Sequence, residues 1–476
     1  VNFGAVLFLF VGLSLCASGA ADGAAVSSTE GVTSYSASFF APEQPTTALD
    51  IVRLIPGFVF DRGVDVRGYT GAAPNILVDG QRLASKNDSI EALLRRIPAG
   101  QIARVDVIRG GAPGIDMQGK TVIANLVRRT GAGAAATLAA SVVRDAQGKL
   151  EGLGRGEWQW RQDGWFFEGS AQVGGAFDDE GGVGPKLRVN GAGGLILHGS
   201  ESQFGVQDDN HVTAAAEHDL AGGKIRLSAS ASDQPYGAIS TDTLVEPSGG
   251  DLDVYHQSQT TAEVSARYER QFGARVELEV VELQQLGWDG LHDHFTEAPQ
   301  VAAVTGDDTS DLFDLKDRRG ENILSARLQY TFSKTFALHT GIEGDYNWLT
   351  SRTTFIENGT PVDLPAADEY VAETRGEAFA LAEWQPRRMV DLEAGMHIEA
   401  SRLTSSGDSS SEQVFVYPKP RAVLTLSPDA VDQLRLRIER EVGQLDFNDF
   451  IASPDNIESG QVRAGNPQLT PQSDWV

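Results

Sequence analysis

His292, Asp293 and His294 set two imidazoles two residues apart, which puts both on one face of an extended chain. Neutral imidazoles at that spacing suit a transition metal or a metal chelate, although two loop histidines without a third ligand are ordinarily only solvated. They are the weak ligand candidates of the chain. Asp307-Asp308-Thr309-Ser310-Asp311 is acidic but lacks calcium-loop spacing, and reads as a hydrated loop. Gly152, Gly154 and Gly156 lie along a strand pattern, not at the strand-to-helix turn that would cradle a pyrophosphate. His-Glu-x-x-His, the phosphate-binding Gly-Lys-Ser/Thr loop and Gly-x-Ser-x-Gly are all missing. No spacing singles out one pair of carboxylates for acid and base work. The expectation is a protein that is not an enzyme, with no catalytic residue, cofactor or metal site.

The elements that would carry these groups are strands. The chain has 476 residues, 52 of them glycine, and 41% hydrophobic residues. After the first sixteen positions no apolar run reaches the length of a membrane helix, so any membrane contact is made by strands. Residues 1–15 are an apolar run of signal-peptide length, followed by small residues at Ala17, Gly19, Ala20 and Ala21. A signal peptide over 1–21 is expected, and export with it. Cys16 is the only cysteine, and Leu15 before it is too large for a lipobox. The mature chain would then have no thiol and no disulfide framework. The charge of −27 is uneven: residues 43–134 carry 12 Lys and Arg against 9 Asp and Glu, and 135–476 carry 27 against 55. An acidic bulk of this kind repels phosphate, which excludes nucleic acid as a partner.

From Leu138 onward, apolar and polar residues alternate. Ala262, Val264, Ala266 and Tyr268 interleave with Glu263, Ser265, Arg267 and Glu269, and Leu392, Ala394, Met396 and Ile398 with Glu393, Gly395, His397 and Glu399. Each stretch is a strand with two unlike faces. Alternation alone does not say which face is outside, because a soluble sandwich and a membrane barrel give the same pattern in opposite senses. Three features point to a barrel. Tight turns near 161–164, 220–223, 271–274, 333–335 and 386–388 alternate with long polar loops near 233–256, 288–320, 351–370 and 403–413. Trp158, Trp160 and Trp165 gather at one turn, and Tyr346 and Trp348 before a long loop, as interface girdles do. The signal peptide supplies the route outward.

Residues 46–130 read differently. Thr46 or Thr47 caps a helix with Leu49, Val52 and Ile55 on one face, and Pro56-Gly57 ends it. Ile76 to Val78 leads into Asp79-Gly80, a pair suited to a type I′ turn, and predicts a hairpin. Asp88 with Glu91 forms a capping box for a helix whose stripe is Ile90, Leu93, Leu94 and Ile97. A strand over 104–109 then runs into Gly110-Gly111.

This order resembles the plug domain of TonB-dependent outer-membrane receptors, in the subgroup that opens with Tyr-x-x-x-Phe-Phe-Ala, here residues 35–41. The matching positions are Leu54, Pro56, Gly57, Val66-Arg67-Gly68, the Ile76 to Gly80 hairpin with Asp79, Ile108-Arg109-Gly110 and Asn125. Gly111 stands where many members have proline, and the 122–126 segment replaces the usual Gly-Val-x-Asn-Ile. Gly465-Asn466-Pro467 resembles a loop motif found inside family barrels. The resemblance implies a mainly β chain: a transmembrane antiparallel β-barrel with about 15 of 22 strands present, C-terminally truncated, and an N-terminal α+β plug. The expected division is 1–21 signal peptide, 22–42 flexible segment with a coupling role, 43–134 plug, and 135–476 incomplete barrel. Arg67 and Arg109 are expected to touch barrel carboxylates such as Glu263, Glu269, Glu393 and Glu399.

In function, the resemblance implies a receptor in the cell outer membrane of a Gram-negative bacterium. It would actively import a scarce nutrient such as a ferric siderophore, cobalamin or saccharide. Its partners would be a TonB-type inner-membrane energy-coupling complex, the small ligand and outer-membrane lipid. The alternatives are a signalling receptor that binds without transport and a passive channel.

Overall fold

A computed structural model of the chain describes residues 7–10, 26–29, 31–63, 74–82, 86, 89–109, 117, 120–129, 133–145, 148–178, 181–305, 309–387, 389–426, 434–456, 461–463, 465–466 and 468–476. Two bodies are built from them, a small α+β domain and a large antiparallel barrel wall.

The small domain has a five-stranded sheet in the order Val26–Thr29, Val32–Ser36, Ile102–Arg109, Val122–Arg128, Ile76–Val78. Its helices follow from their caps. Thr47 is the N-cap of Ala48–Arg53, with its hydroxyl taking the Asp50 N–H and the Asp50 carboxylate returning to the Thr47 N–H at 2.9 Å. Gly57 takes φ +65° just beyond, the left-handed conformation that suits glycine. The second helix, Ile90–Arg96, is capped by Ser89, whose hydroxyl accepts from Ala92 N. The expected cap at Asp88 is therefore one residue early: the Ser89 hydroxyl is the group that takes an orphan N–H of the first turn. Asp88 itself lies outside the described residues. Leu49, Ile51, Leu94, Ile102 and Val105 enclose the core between helices and sheet. Tyr35, Phe39 and Phe40 add an aromatic cluster, with ring centroids 4.9 Å (Tyr35–Phe39) and 5.1 Å (Phe39–Phe40) apart.

Two expectations change here. Residues 26–29 and 32–36 are strands of the plug sheet, and 37–43 continue as helical turns, so much of the segment read as flexible is structured. β-Branched residues such as Val26, Val32 and Thr33 suit strands although the segment reads as a tether by composition. The Asp79-Gly80 turn exists, with φ of 53° and 81°, but the hairpin is a single bridge between Val78 and Gln81. Ile76–Val78 pairs instead in parallel with Val122–Arg128.

The barrel wall follows chain order. Gly133–Arg144, Leu150–Gln162 and Trp165–Phe177 pair in turn, and the series continues through Gly249–Phe272, Val276–Glu297, Ser310–Ser333, Phe336–Glu357, Asp368–Arg387, Val390–Gly407 and Ser411–Leu426 to Leu434–Val442. Nineteen strand segments join the large sheet among the described residues, more than the fifteen or so expected. One reason is that long strands are interrupted: Leu195–Asp208 runs on as Asn210–Leu220, and Gly223–Asp233 as Tyr236–Glu246. Leu7–Phe10, inside the expected leader, is a short strand beside Gly133–Arg144.

The tight turns stand where expected, Asp163-Gly164 and Ala221-Gly222 both with positive φ. The long loops do not. Most of 288–320 and 351–370 is ladder, because the strands are up to 24 residues long and not about ten. At about 3.3 Å per residue such a strand is roughly 80 Å long, far beyond the 9–11 residues that span a hydrocarbon layer. Polar cross-strand pairs hold the outer hairpins where apolar periodicity gives no signal.

Candidate functional site

The sense of the alternation is decided by exposure. Val264 is 51% exposed and Glu263 beside it 4%; Ile342 is 64% exposed and Glu343 6%. The wall is apolar outside and charged inside, the reverse of a soluble protein. Enclosed charges need partners, and the inner face supplies them. Arg375 lies 2.9 Å from Glu343 and 2.8 Å from Asp345, and Lys419 lies 2.9 Å from Glu399 and also bonds Glu377. Outside, Trp160 and Trp165 stack on Phe167 at 5.5 and 5.3 Å, one piece of an aromatic girdle.

The plug sits against this inner face. Lys86 donates its backbone N–H to Glu263 at 3.1 Å and its ammonium to both oxygens of Glu321 at 2.8 Å. The Gln81 amide bonds Glu269, and the Arg267 guanidinium bonds the Arg82 carbonyl. Arg128 approaches Glu168 at 3.8 Å and lies over the Phe166 ring at 4.5 Å, and Arg435 donates to the Lys120 carbonyl at 2.9 Å. Alternation in the sequence put Glu263 and Glu269 on one face, and the barrel reading turned that face inward. It carried no sign that Gln81 and Lys86 would meet them.

The family-motif positions have local reasons. Asn125 Oδ1 accepts the Gly80 N–H at 2.8 Å, and the Asp79 carboxylate accepts the backbone and side-chain N–H of Arg128 at 2.8 and 2.5 Å. The turn is thereby clamped to the strand Val122–Arg128. Arg109 lies against Gly57, with its guanidinium 3.9 Å from where a Cβ would stand. Arg67, Gly68, Gly110 and Pro467 lie outside the described residues. Gly465 passes so close to the Phe450 carbonyl that a Cβ would stand 2.1 Å from its oxygen, and Asn466 N donates to the Asp449 carbonyl at 2.8 Å. His292 and His294 are not in a loop: they belong to the strand Val276–Glu297, alternating with the inward Asp293. His292 Nδ1 meets Asp314 at 2.8 Å, and no group of three metal-ligating side chains exists among the described residues.

Two plug carboxylates are shifted. Burial pushes Asp50 up, but hydrogen bonds from Thr46 and Thr47 outweigh it and hold the carboxyl below its ordinary value. The Lys120 ammonium, 2.6 Å away, holds Asp61 below the usual range against opposing burial.

Between plug and wall lies a cavity of about 700 Å³. The helix Ile90–Arg96 turns Ile90, Leu93 and Leu94 into the plug core and presents Ser89, Arg95 and Arg96 to the cavity. The wall contributes Glu157, Gln172, Asp209, Gln234 and Glu321, and the segment 444–448 closes another side. That segment is held by Phe450, buried beside Val371 and Leu403. A recess of this size and polarity has room for a small hydrophilic molecule.

Residues 24–121 match the TonB-dependent Receptor Plug Domain family. No curated protein matches the chain. Among solved structures, the copper transporter OprC is 11% identical, with 89% of this chain and 64% of that chain covered and a TM-score of 0.46. The Serratia marcescens hemophore receptor HasR is 10% identical, with 94% and 68% covered and a TM-score of 0.44. The ferric yersiniabactin uptake receptor FyuA of Yersinia pestis is 11% identical, with 95% and 89% covered and a TM-score of 0.39. The chain thus spans 64% of the length of the copper transporter.

Proposed function

We propose that the chain, whose residues 24–121 match the plug domain of TonB-dependent receptors, works in the outer membrane of a Gram-negative bacterium as an energised importer of a scarce nutrient. The observation that carries this is the plug bonded to the inner wall of a barrel whose outer face is apolar. A filled lumen stops diffusion, so a ligand in the cavity crosses only when the plug is loosened. The outer membrane holds neither ATP nor an ion gradient, and a TonB-type inner-membrane complex supplies the work.

The contacts suit that role. Charged pairs such as Lys86–Glu321 and Arg128–Glu168 release one at a time, whereas an apolar plug surface would adhere as a block. The chain ahead of Val26 is the place to pull, because Val26–Thr29 is the edge strand of the plug sheet. Outer-membrane lipid covers the face bearing Val264 and Ile342. The ligand is a small polar molecule, of the broad class that includes siderophores and saccharides.

The test is a pair of assays in cells that carry the receptor. A heat-modifiable species in the outer-membrane fraction and receptor-dependent uptake of the labelled limiting nutrient that a protonophore abolishes are expected. Uptake that survives the protonophore favours a passive channel, and recovery of the chain only from the soluble fraction refutes the reading altogether.

A further inference from the structure

We infer that the cavity receives an oxygen-rich anion, a ligand with a carboxylate or similar acidic group among several hydroxyl or carbonyl oxygens; this deepens the receptor reading and rests on it. Four carboxylates border the cavity, Glu157, Asp209, Glu321 and Asp446, and each is engaged. Arg155 holds Glu157 at 3.2 Å and Lys86 holds Glu321 at 2.8 Å. Asp209 accepts from Gln172 at 2.7 Å and Gln234 at 3.0 Å, and Asp446 accepts the Asn448 N–H at 2.9 Å. Arg95 differs. It is exposed to the cavity in the last turn of its helix and forms no hydrogen bond or close ion pair among the described residues, acting on Glu157 only through space.

A guanidinium inside a half-enclosed recess attracts an anion more strongly than on open surface, and its planar fork fits two carboxylate oxygens at once. The remaining wall is rich in neutral donors and acceptors, among them Gln285, Ser230 and Asn347, which suit hydroxyls. Flat aromatic surface is committed elsewhere: the Trp348 indole covers Gly320, 2.5 Å from where a Cβ would stand, and Phe447 packs edge-on to Phe450. An aromatic ligand finds little to stack on, and a neutral one gains nothing from the Arg95 charge.

Two sources share this chemistry, a sugar acid and a metal hydroxycarboxylate. The receptor purified in detergent is offered trigalacturonate, iron(III) tartrate and, as a neutral sugar of similar size, maltotriose. The expected result is binding of at least one anion, weakening as salt rises, with maltotriose about tenfold weaker or more; which anion binds identifies the source. Arg95→Gln should weaken the bound anion by about tenfold and leave maltotriose unchanged, and Arg95→Lys should recover part of the loss. Maltotriose binding as tightly as the anions, no binding of either anion, or an anion affinity that Arg95→Gln leaves intact overturns the inference. The receptor reading is judged apart from this, by the fractionation and protonophore assays.

Discussion

In the plug, Leu94 and Ile102 are enclosed and the Arg95 and Arg104 side chains lie outward; in the barrel, Ile342 and Ile398 stand outside while Glu343 and Glu399 are enclosed. Both regions alternate or repeat apolar residues with equal regularity. The difference lies in the medium each face meets. The plug gains its stability as a soluble domain does, from about 1.5–3 kcal/mol per buried large aliphatic side chain. The barrel's apolar outer face gains nothing from water, and on the proposed reading lipid covers it, while its inner charges are kept by mutual pairing. Each region should therefore fail in its own way, and the failures can be separated.

The largest effect is expected from Leu94→Asp, which places an unpaired charge in the plug core at a cost of about 3–5 kcal/mol. Limited proteolysis of the assembled receptor should then cut within 43–134 while the heat-modifiable barrel survives; a barrel lost together with the plug would show that the two are one folding unit. Next comes Ile342→Arg, where a charge on the lipid face costs about 2–4 kcal/mol near the midplane. The fraction of folded barrel in outer membranes should fall, and Glu343→Gln at the neighbouring inward position should not lower it through lipid contact. Normal insertion of Ile342→Arg would mean that this face does not meet lipid.

Lys86→Met joins the two regions, since it leaves Glu321 enclosed with one partner fewer. A loss of about 1–3 kcal/mol should appear as faster amide exchange at Gln81 and Lys86, and adding Glu321→Leu should return part of the protection. Unchanged exchange would remove Lys86 from the anchors.

The smallest effect concerns Asp50. Its folded carboxyl titrates below the ordinary value, so its contribution is present above about pH 4 and is lost as pH falls through the lower folded value. Because the carboxyl is only partly buried, a few tenths of a kcal/mol is expected after screening. Protection of residues 48–53 should decline on acidification in the native chain and show no such step in Asp50→Asn.

Much of this was legible in residues and their spacing. The Thr47 cap, the Pro56-Gly57 stop, the Asp79-Gly80 turn and the inward rows with Glu263 and Glu269 are local features, and local physics determines them. The parallel partner of Ile76–Val78 was hidden, because nothing in three apolar residues names a strand 46 positions later. The strands at 26–29 and 32–36 were hidden by small polar composition, and the outer halves of the long strands by the absence of apolar alternation there. The cavity depends on side chains from both bodies. Arg95 looked like any basic residue at a helix C-terminus, where such charge is expected anyway.

The pairing pattern also sets a timetable. Barrel neighbours in space are neighbours along the chain, and Asp163-Gly164 or Ala221-Gly222 closes a hairpin of two connecting residues. The plug sheet instead joins Val32 to Ile108 and Ile76 to Ala124, and closing such wide loops is a slower search. On the proposed outer-membrane reading the plug emerges first during export, and its last strand is complete at Arg128 before Gly133 begins the wall. The late search is thus given a head start. A wall that zips hairpin by hairpin meets a finished object to close around, and chains halted soon after residue 134 should already resist protease over the plug.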